Sequence, residues 1–242
     1  MIHALPGTLP TPHLGRAEAN LICRMVRQHG GIAIAPGKTA FLQLRVARRL
    51  RALGLDDFAR YSSLLTGPAG QTELPLLVEA LTTHTTGFFR ESAQYDWLQT
   101  TGLPALIARG AGRERRLLLW SAACSTGAEM WTAAMVVDRL ARGMQGGLRW
   151  GVAGSDVSRA ILSRAARAIF QEDEIAGLPE EWRRDYLLRS RLCHGRTRLY
   201  RIAPDLRRLA RLHWANLTVA PPALESDADV AFLRNVLIYF DD

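Results

Sequence analysis

The chain is almost without lysine: of its 31 basic residues, only Lys38 is not an arginine. Cysteine is scarce as well, with three residues at positions 23, 124 and 193. They are too scattered for a disulfide framework or a metal-ligand cluster, so no metal site is expected, and an odd count suits a reducing cytoplasm. No apolar run approaches the ~20 residues of a membrane span, which excludes direct membrane insertion. Residues 1–15 are rich in Pro, Gly and Thr and carry neither a basic n-region nor an apolar h-region, so they read as a flexible lead and not as a secretory signal. The G-x-G-x-x-G fingerprint and the Walker A pattern are absent, so pyrophosphate binding is not indicated. What is present is 242 residues with 48% hydrophobic content. That is too apolar for a disordered chain and long enough for one large domain or two small ones. The net charge is +8 and the pI about 10.2. An acidic partner is expected, whether nucleic acid, an anionic membrane surface or an acidic protein segment.

The first third reads as helical. Leu21, Ile22, Met25 and Val26 recur at helical spacing over 16–29, and Gly30-Gly31 stops the pattern. A second helix over 39–53 carries Leu42, Val46, Leu50 and Leu53 on one face and Arg45, Arg48 and Arg51 on the other. Gly54 closes it, and Asp56 is placed to cap a short third helix with Phe58, Tyr61, Leu64 and Leu65. Thr66 to Thr72 reads as a loop before a fourth helix with Leu74, Leu77, Val78 and Leu81 inward. The arginine face is either a solvated surface or a site for a negatively charged partner. No acid interrupts it between Lys38 and Leu55.

The middle changes character. Residues 116–124 form a continuous apolar run, as expected of a strand buried on both faces, and end in the small residues Ser125-Thr126-Gly127. A helix with Ala133, Met135, Val136 and Leu140 follows, then a strand over 148–155 closed by Asp156. Ser158 can cap a further helix that includes Ile161, Leu162, Ala165 and Ile169. This β–α–β–α order opens a doubly wound sheet. A small-residue turn lets a ligand approach backbone N–H groups at a helix N-terminus, and an acid closing the second strand can accept from both hydroxyls of a ribose. The same residues also suit a plain tight turn with an aspartate cap. Cys124 reads as a small packing residue.

Four segments in order carry a resemblance: ALTTHTTGFFRE (80–91), WSAACSTGAE (120–129), GSD (154–156) with ANL (215–217), and FLRNVLIYFD (232–241). Together with RRLRALGLDDFARY (48–61), they resemble the chemotaxis receptor glutamate methyltransferases, the CheR family, which use S-adenosylmethionine and release S-adenosylhomocysteine. The resemblance implies a doubly wound Rossmann-like α/β methyltransferase sheet with an N-terminal all-α domain over 16–82. The cofactor-binding domain would occupy 83–242, with a small inserted β-subdomain at about 187–210. It gives Arg90 the cofactor's methionyl carboxylate and the border of the reaction centre, with Thr86 as a nearby hydroxyl and His84 where the family commonly has Asn. Glu129 would hold the charged methionine end and Asp156 the ribose. Asn216 and Leu217 would line the adenine pocket, and Arg234 and Asn235 would lie beside the cofactor. Tyr239 would sit at the transfer site as the second catalytic residue with Arg90.

The resemblance also supplies the acidic partner. Arg45, Arg48, Arg49 and Arg51 would dock the acidic methylation helices of chemotaxis receptors in the cytoplasm, and no nucleic-acid partner is expected. Departures from the family pattern are Ala128 for the first acid of STGEE and Met130-Trp131 for Pro-Tyr. Family members also continue past IYFD with a helix, a PGG-type turn and further strands, whereas this sequence stops at Asp242. The implied sheet is therefore C-terminally incomplete, with strands in the order 3-2-1-4 and 230–233 as an uncovered edge. A truncated homologue that binds cofactor or receptor without turnover is the alternative expectation.

Overall fold

Helical spacing of apolar residues builds the N-terminal part as expected. The computed structural model describes residues 12–82, 86–194, 197–218 and 227–237, so most of the expected lead lies outside the described residues. Four helices, α1 (Arg16–Gly30), α2 (Thr39–Leu53), α3 (Phe58–Thr66) and α4 (Gly70–Leu81), make a first compact unit. Val26, Val46, Leu50, Tyr61 and Leu77 are buried within it. α1 and α2 each end on a left-handed glycine, Gly31 and Gly54. Two boundaries differ from expectation. Asp57, not Asp56, caps α3: its carboxylate accepts from the Arg60 N–H at 2.7 Å, while Asp56 pairs with the Arg60 side chain at 3.2 Å. α4 begins at Gly70, inside the stretch expected as loop.

The second unit holds the remaining described residues. A lead-in of α5 (Ala93–Trp97), a π-helical turn (Leu98–Gly102) and α6 (Leu103–Ala108) precedes β1 (Leu117–Ala122). Then come α7 (Ala128–Arg142), β2 (Trp150–Asp156), α8 (Arg159–Arg167) and β3 (Ile169–Gln171). α9 (Glu180–Tyr186), β4 (Leu187–His194), β5 (Thr197–Ile202), α10 (Pro204–Leu209), β6 (Ala210–Trp214) and β7 (Val230–Phe232) complete it. The main sheet is parallel with order β6-β2-β1-β7. Numbered by its own strands, that is the expected 3-2-1-4 of a Rossmann-like sheet.

Two expectations are corrected. β1 is not buried on both faces: Leu117 and Leu119 are buried with the core that includes α7, whereas Leu118 and Trp120 are half-buried. Ile169 belongs to β3 and not to the preceding helix, because Ala168 takes a left-handed conformation that ends α8. The small antiparallel sheet has the order β3-β5-β4 and adds residues 169–171 to the two strands within 187–202. Among the described residues no helix is long and apolar enough to cross a membrane.

Candidate functional site

At the carboxyl end of β1 the backbone makes a tight and costly turn. Ala123 and Ser125 have φ of 57° and 53°, and Gly127 has φ of 88°. A left-handed non-glycine residue costs roughly 1–2 kcal/mol and persists only where surrounding contacts fix it. Asp156 supplies those contacts. One carboxylate oxygen accepts from the Ser125 N–H at 2.9 Å and the other from the Ser158 N–H at 3.0 Å. The aspartate-cap reading therefore holds for this residue. Gly154, one turn back on β2, has no room for a side chain. A Cβ there would lie 2.7 Å from Leu212, 2.8 Å from Met130 and 3.0 Å from the Cys124 sulfur. Cys124 is thus a packing residue, and burial pushes its thiol pKa up.

Beside Asp156, the segment after β6 folds back. The Ala215 N–H donates to the Asp156 carbonyl at 3.1 Å. The buried Asn216 carbonyl oxygen accepts from the Thr218 N–H at 3.0 Å and from its hydroxyl at 2.8 Å. Leu217 is half-buried next to it. The turn after β1, Asp156 and residues 215–217 thus line the carboxyl ends of three adjacent parallel strands, where open α/β sheets bind ligands.

A second constellation centres on Arg234, whose side chain is only 10% exposed. One guanidinium nitrogen donates to the Tyr95 hydroxyl at 3.0 Å and lies 3.4 Å from the Glu129 carboxylate. The other donates to the Arg90 carbonyl and lies 3.3 Å from Glu91. The remaining N–H, on Nε, is buried with no acceptor among the described residues. Glu129 also accepts from the Ser121 hydroxyl at 2.7 Å. Burial raises the Glu129 pKa, and the Ser121 hydrogen bond and the Arg234 charge oppose that rise. Arg90 itself is exposed, on a turn whose flanking residues Phe89 and Glu91 have φ of 50° and 56°. Thr86 is half-buried upstream, and Asn235 is exposed with φ of 55°.

Arg90, Glu129 and Arg234 are thus brought together, while Asp156, Asn216 and Leu217 form the neighbouring strand-end group. His84 and Tyr239 lie outside the described residues. Sequence reading missed Ser121, Tyr95 and Glu91; the last two meet Arg234 from far along the chain, Tyr95 at a separation of 139 residues. One mostly buried carboxylate, Glu129, held by the Arg234 guanidinium suits the charged end of a zwitterionic ligand, and the Arg234 Nε–H adds a donor for its anionic group.

The arginines of α2 separate into two kinds. Arg48 and Arg51 are exposed, Arg45 lies over the Phe41 ring at 5.2 Å, and Leu44 stands among them 52% exposed. Arg49 departs from the expected docking set. Its guanidinium grips the buried Glu73 through two hydrogen bonds of 2.8 and 2.7 Å, and the Tyr61 hydroxyl donates to the same carboxylate at 2.8 Å. A buried carboxylate needs such a partner, so Arg49 is turned inward.

The sequence matches two family descriptions in tandem: the CheR methyltransferase all-alpha domain over residues 17–82 and the CheR methyltransferase SAM-binding domain over residues 84–242. It is similar to the chemotaxis protein methyltransferase of Salmonella typhimurium, 34% identical over 94% of this chain and 75% of that protein. Chemotaxis protein methyltransferase 2 of Pseudomonas aeruginosa is 30% identical over 98% of this chain and 83% of its own length. The probable biofilm formation methyltransferase WspC of the same organism is 30% identical over 90% of this chain and 49% of its own. The chain belongs to the CheR methyltransferase family, and its methyl donor is S-adenosylmethionine.

Proposed function

We propose that this methyltransferase esterifies glutamate side chains on acidic helices of chemotaxis receptors, as part of sensory adaptation. The observation that carries the proposal is the meeting of Arg90, Glu129 and Arg234 beside the strand-end group of Asp156 and Asn216. In this reading Glu129 takes the ammonium of the cofactor's amino-acid end and Arg90 its carboxylate, with Arg234 holding both in place. Asp156 accepts from the ribose hydroxyls, Asn216 and Leu217 border the adenine, and Thr86 and Asn235 flank the pocket. S-adenosylmethionine supplies a methyl group already activated by a sulfonium charge.

A free glutamate side chain has a pKa of about 4.3 and is ionised at neutral pH, so the acceptor needs no general base. What the protein must provide is alignment and exclusion of water, for which a guanidinium (Arg90) and a phenol (Tyr239) suffice. Esterification removes one negative charge from an acidic helix and relieves like-charge repulsion along it. Exposed Arg48, Arg51 and Leu44 on α2, with half-buried Arg45 beside them, offer such a helix three cations around one apolar contact.

The test is transfer of labelled methyl from S-adenosylmethionine to receptor-enriched membranes, followed by base-labile release of methanol. Labelled ester is expected; cofactor binding without any ester would overturn the substrate assignment.

A further inference from the structure

We infer that Thr132 is a positioning residue for methyl transfer: its buried hydroxyl ties the strained turn carrying Arg90 to the helix carrying Glu129. The inference rests on the roles proposed above for those two residues and adds what sets their separation.

Thr132 is wholly buried in α7, three residues after Glu129 and therefore on the same helix face. A β-branched residue is a mediocre helix former, and a valine of the same shape would fill the space without a polar atom. A hydroxyl at such a site is costly unless it is satisfied. It is satisfied on two sides. It donates to the Ala128 carbonyl at 2.7 Å and accepts from the Phe89 N–H at 3.3 Å.

The Phe89 contact is the informative one. Phe89 and Glu91 both take positive φ, one on each side of Arg90, and neither is glycine. Such a turn relaxes unless other elements hold it. Thr132 holds its first residue through the backbone N–H, and Arg234 holds its centre through the Arg90 carbonyl. Tyr95 supports the second anchor, since its hydroxyl accepts from Arg234 at 3.0 Å. The Phe89 ring, edge-on to Tyr95 at 5.5 Å and to Trp182 at 5.0 Å, adds packing but no direction along the turn. The hydroxyl is thus a second tie, beside Arg234, that registers the Arg90 turn against the helix of Glu129.

The experiment compares Thr132→Val, which keeps the shape and loses the hydroxyl, with Thr132→Ser, which keeps the hydroxyl. Amide exchange at Phe89 in the cofactor-free protein should accelerate about tenfold in Thr132→Val and stay near the unsubstituted rate in Thr132→Ser. Affinity for S-adenosylhomocysteine should fall about tenfold in Thr132→Val and stay within about threefold in Thr132→Ser. Turnover on receptor helices should fall further, by up to ~100-fold if the turn shifts by about 1 Å, with the receptor KM unchanged.

Unchanged cofactor affinity in Thr132→Val would overturn the inference. So would equal losses in both variants accompanied by equal drops in thermal midpoint, since that pattern reports packing alone. If the unsubstituted chain makes no glutamyl ester while the valine–serine difference in affinity persists, the substrate assignment falls and the positioning role stands.

Discussion

Among single residues, Glu129 couples burial to pH. Burial raises its pKa, so protonation favours the fold; this contribution is present below the unfolded pKa and is lost as pH rises through the folded one. Cofactor binding has the opposite sign, because an ammonium requires the carboxylate. Affinity for S-adenosylhomocysteine is therefore expected to decline on acidification within a range where an exposed glutamate would still be ionised. Glu129→Gln should bind more weakly with a flat profile over that range, and calorimetric titration at several pH values checks both. Asp156 makes a different prediction. Both its carboxylate oxygens accept backbone N–H groups, so Asp156→Ala leaves two buried donors unpaired. The expected cost is about 1–3 kcal/mol of stability for each lost acceptor, in addition to lost cofactor affinity. Denaturant unfolding reads the first effect and calorimetry the second.

For the helix α2, the two kinds of arginine give separable outcomes. Reversing Arg48 and Arg51 to Glu should weaken engagement of acidic receptor helices, most at low salt, with cofactor affinity and stability unchanged. Arg49→Ala should instead destabilise by about 3 kcal/mol, because Glu73 is left buried with only the Tyr61 hydroxyl against it. Receptor binding measured across a salt series, beside urea unfolding of both variants, distinguishes them; a stable Arg49→Ala with weakened receptor binding would return Arg49 to the docking face. The contrast marks where sequence was informative. The bounds of α2, its closing glycine and its apolar stripe are local and follow from spacing. The inward turn of Arg49 depends on Glu73, 24 residues away on another helix, and no periodicity encodes that pairing. The same limit explains β3: Ile169 continues the helical pattern of α8, yet pairing with Arg201 across the small sheet claims it as strand. At the site, Arg90, Glu129 and Asp156 were legible because short motifs carry them. Tyr95 and Thr132 were not, because their roles arise only where the chain folds back on itself.

At the level of the whole chain, the residues assigned to the cofactor all come from the second unit, between Thr86 and Asn235, and none from α1–α4. A ligand stabilises what it binds by RT ln(1 + [L]/Kd), so cofactor product at one hundred times its Kd adds about 2.7 kcal/mol. Amides of β1, β2 and α7 that exchange only through unfolding of their unit should then slow by about 100-fold. Amides of α1–α4 should keep their rates, because no cofactor contact assigned above reaches the helices that carry the arginine stripe. Hydrogen exchange with and without saturating S-adenosylhomocysteine makes the comparison within one sample. Equal slowing in both units would mean that they unfold as a single cooperative body. Receptor docking and cofactor binding would then share one stability, and a destabilising substitution on α2 such as Arg49→Ala should speed exchange in β1, β2 and α7 as well.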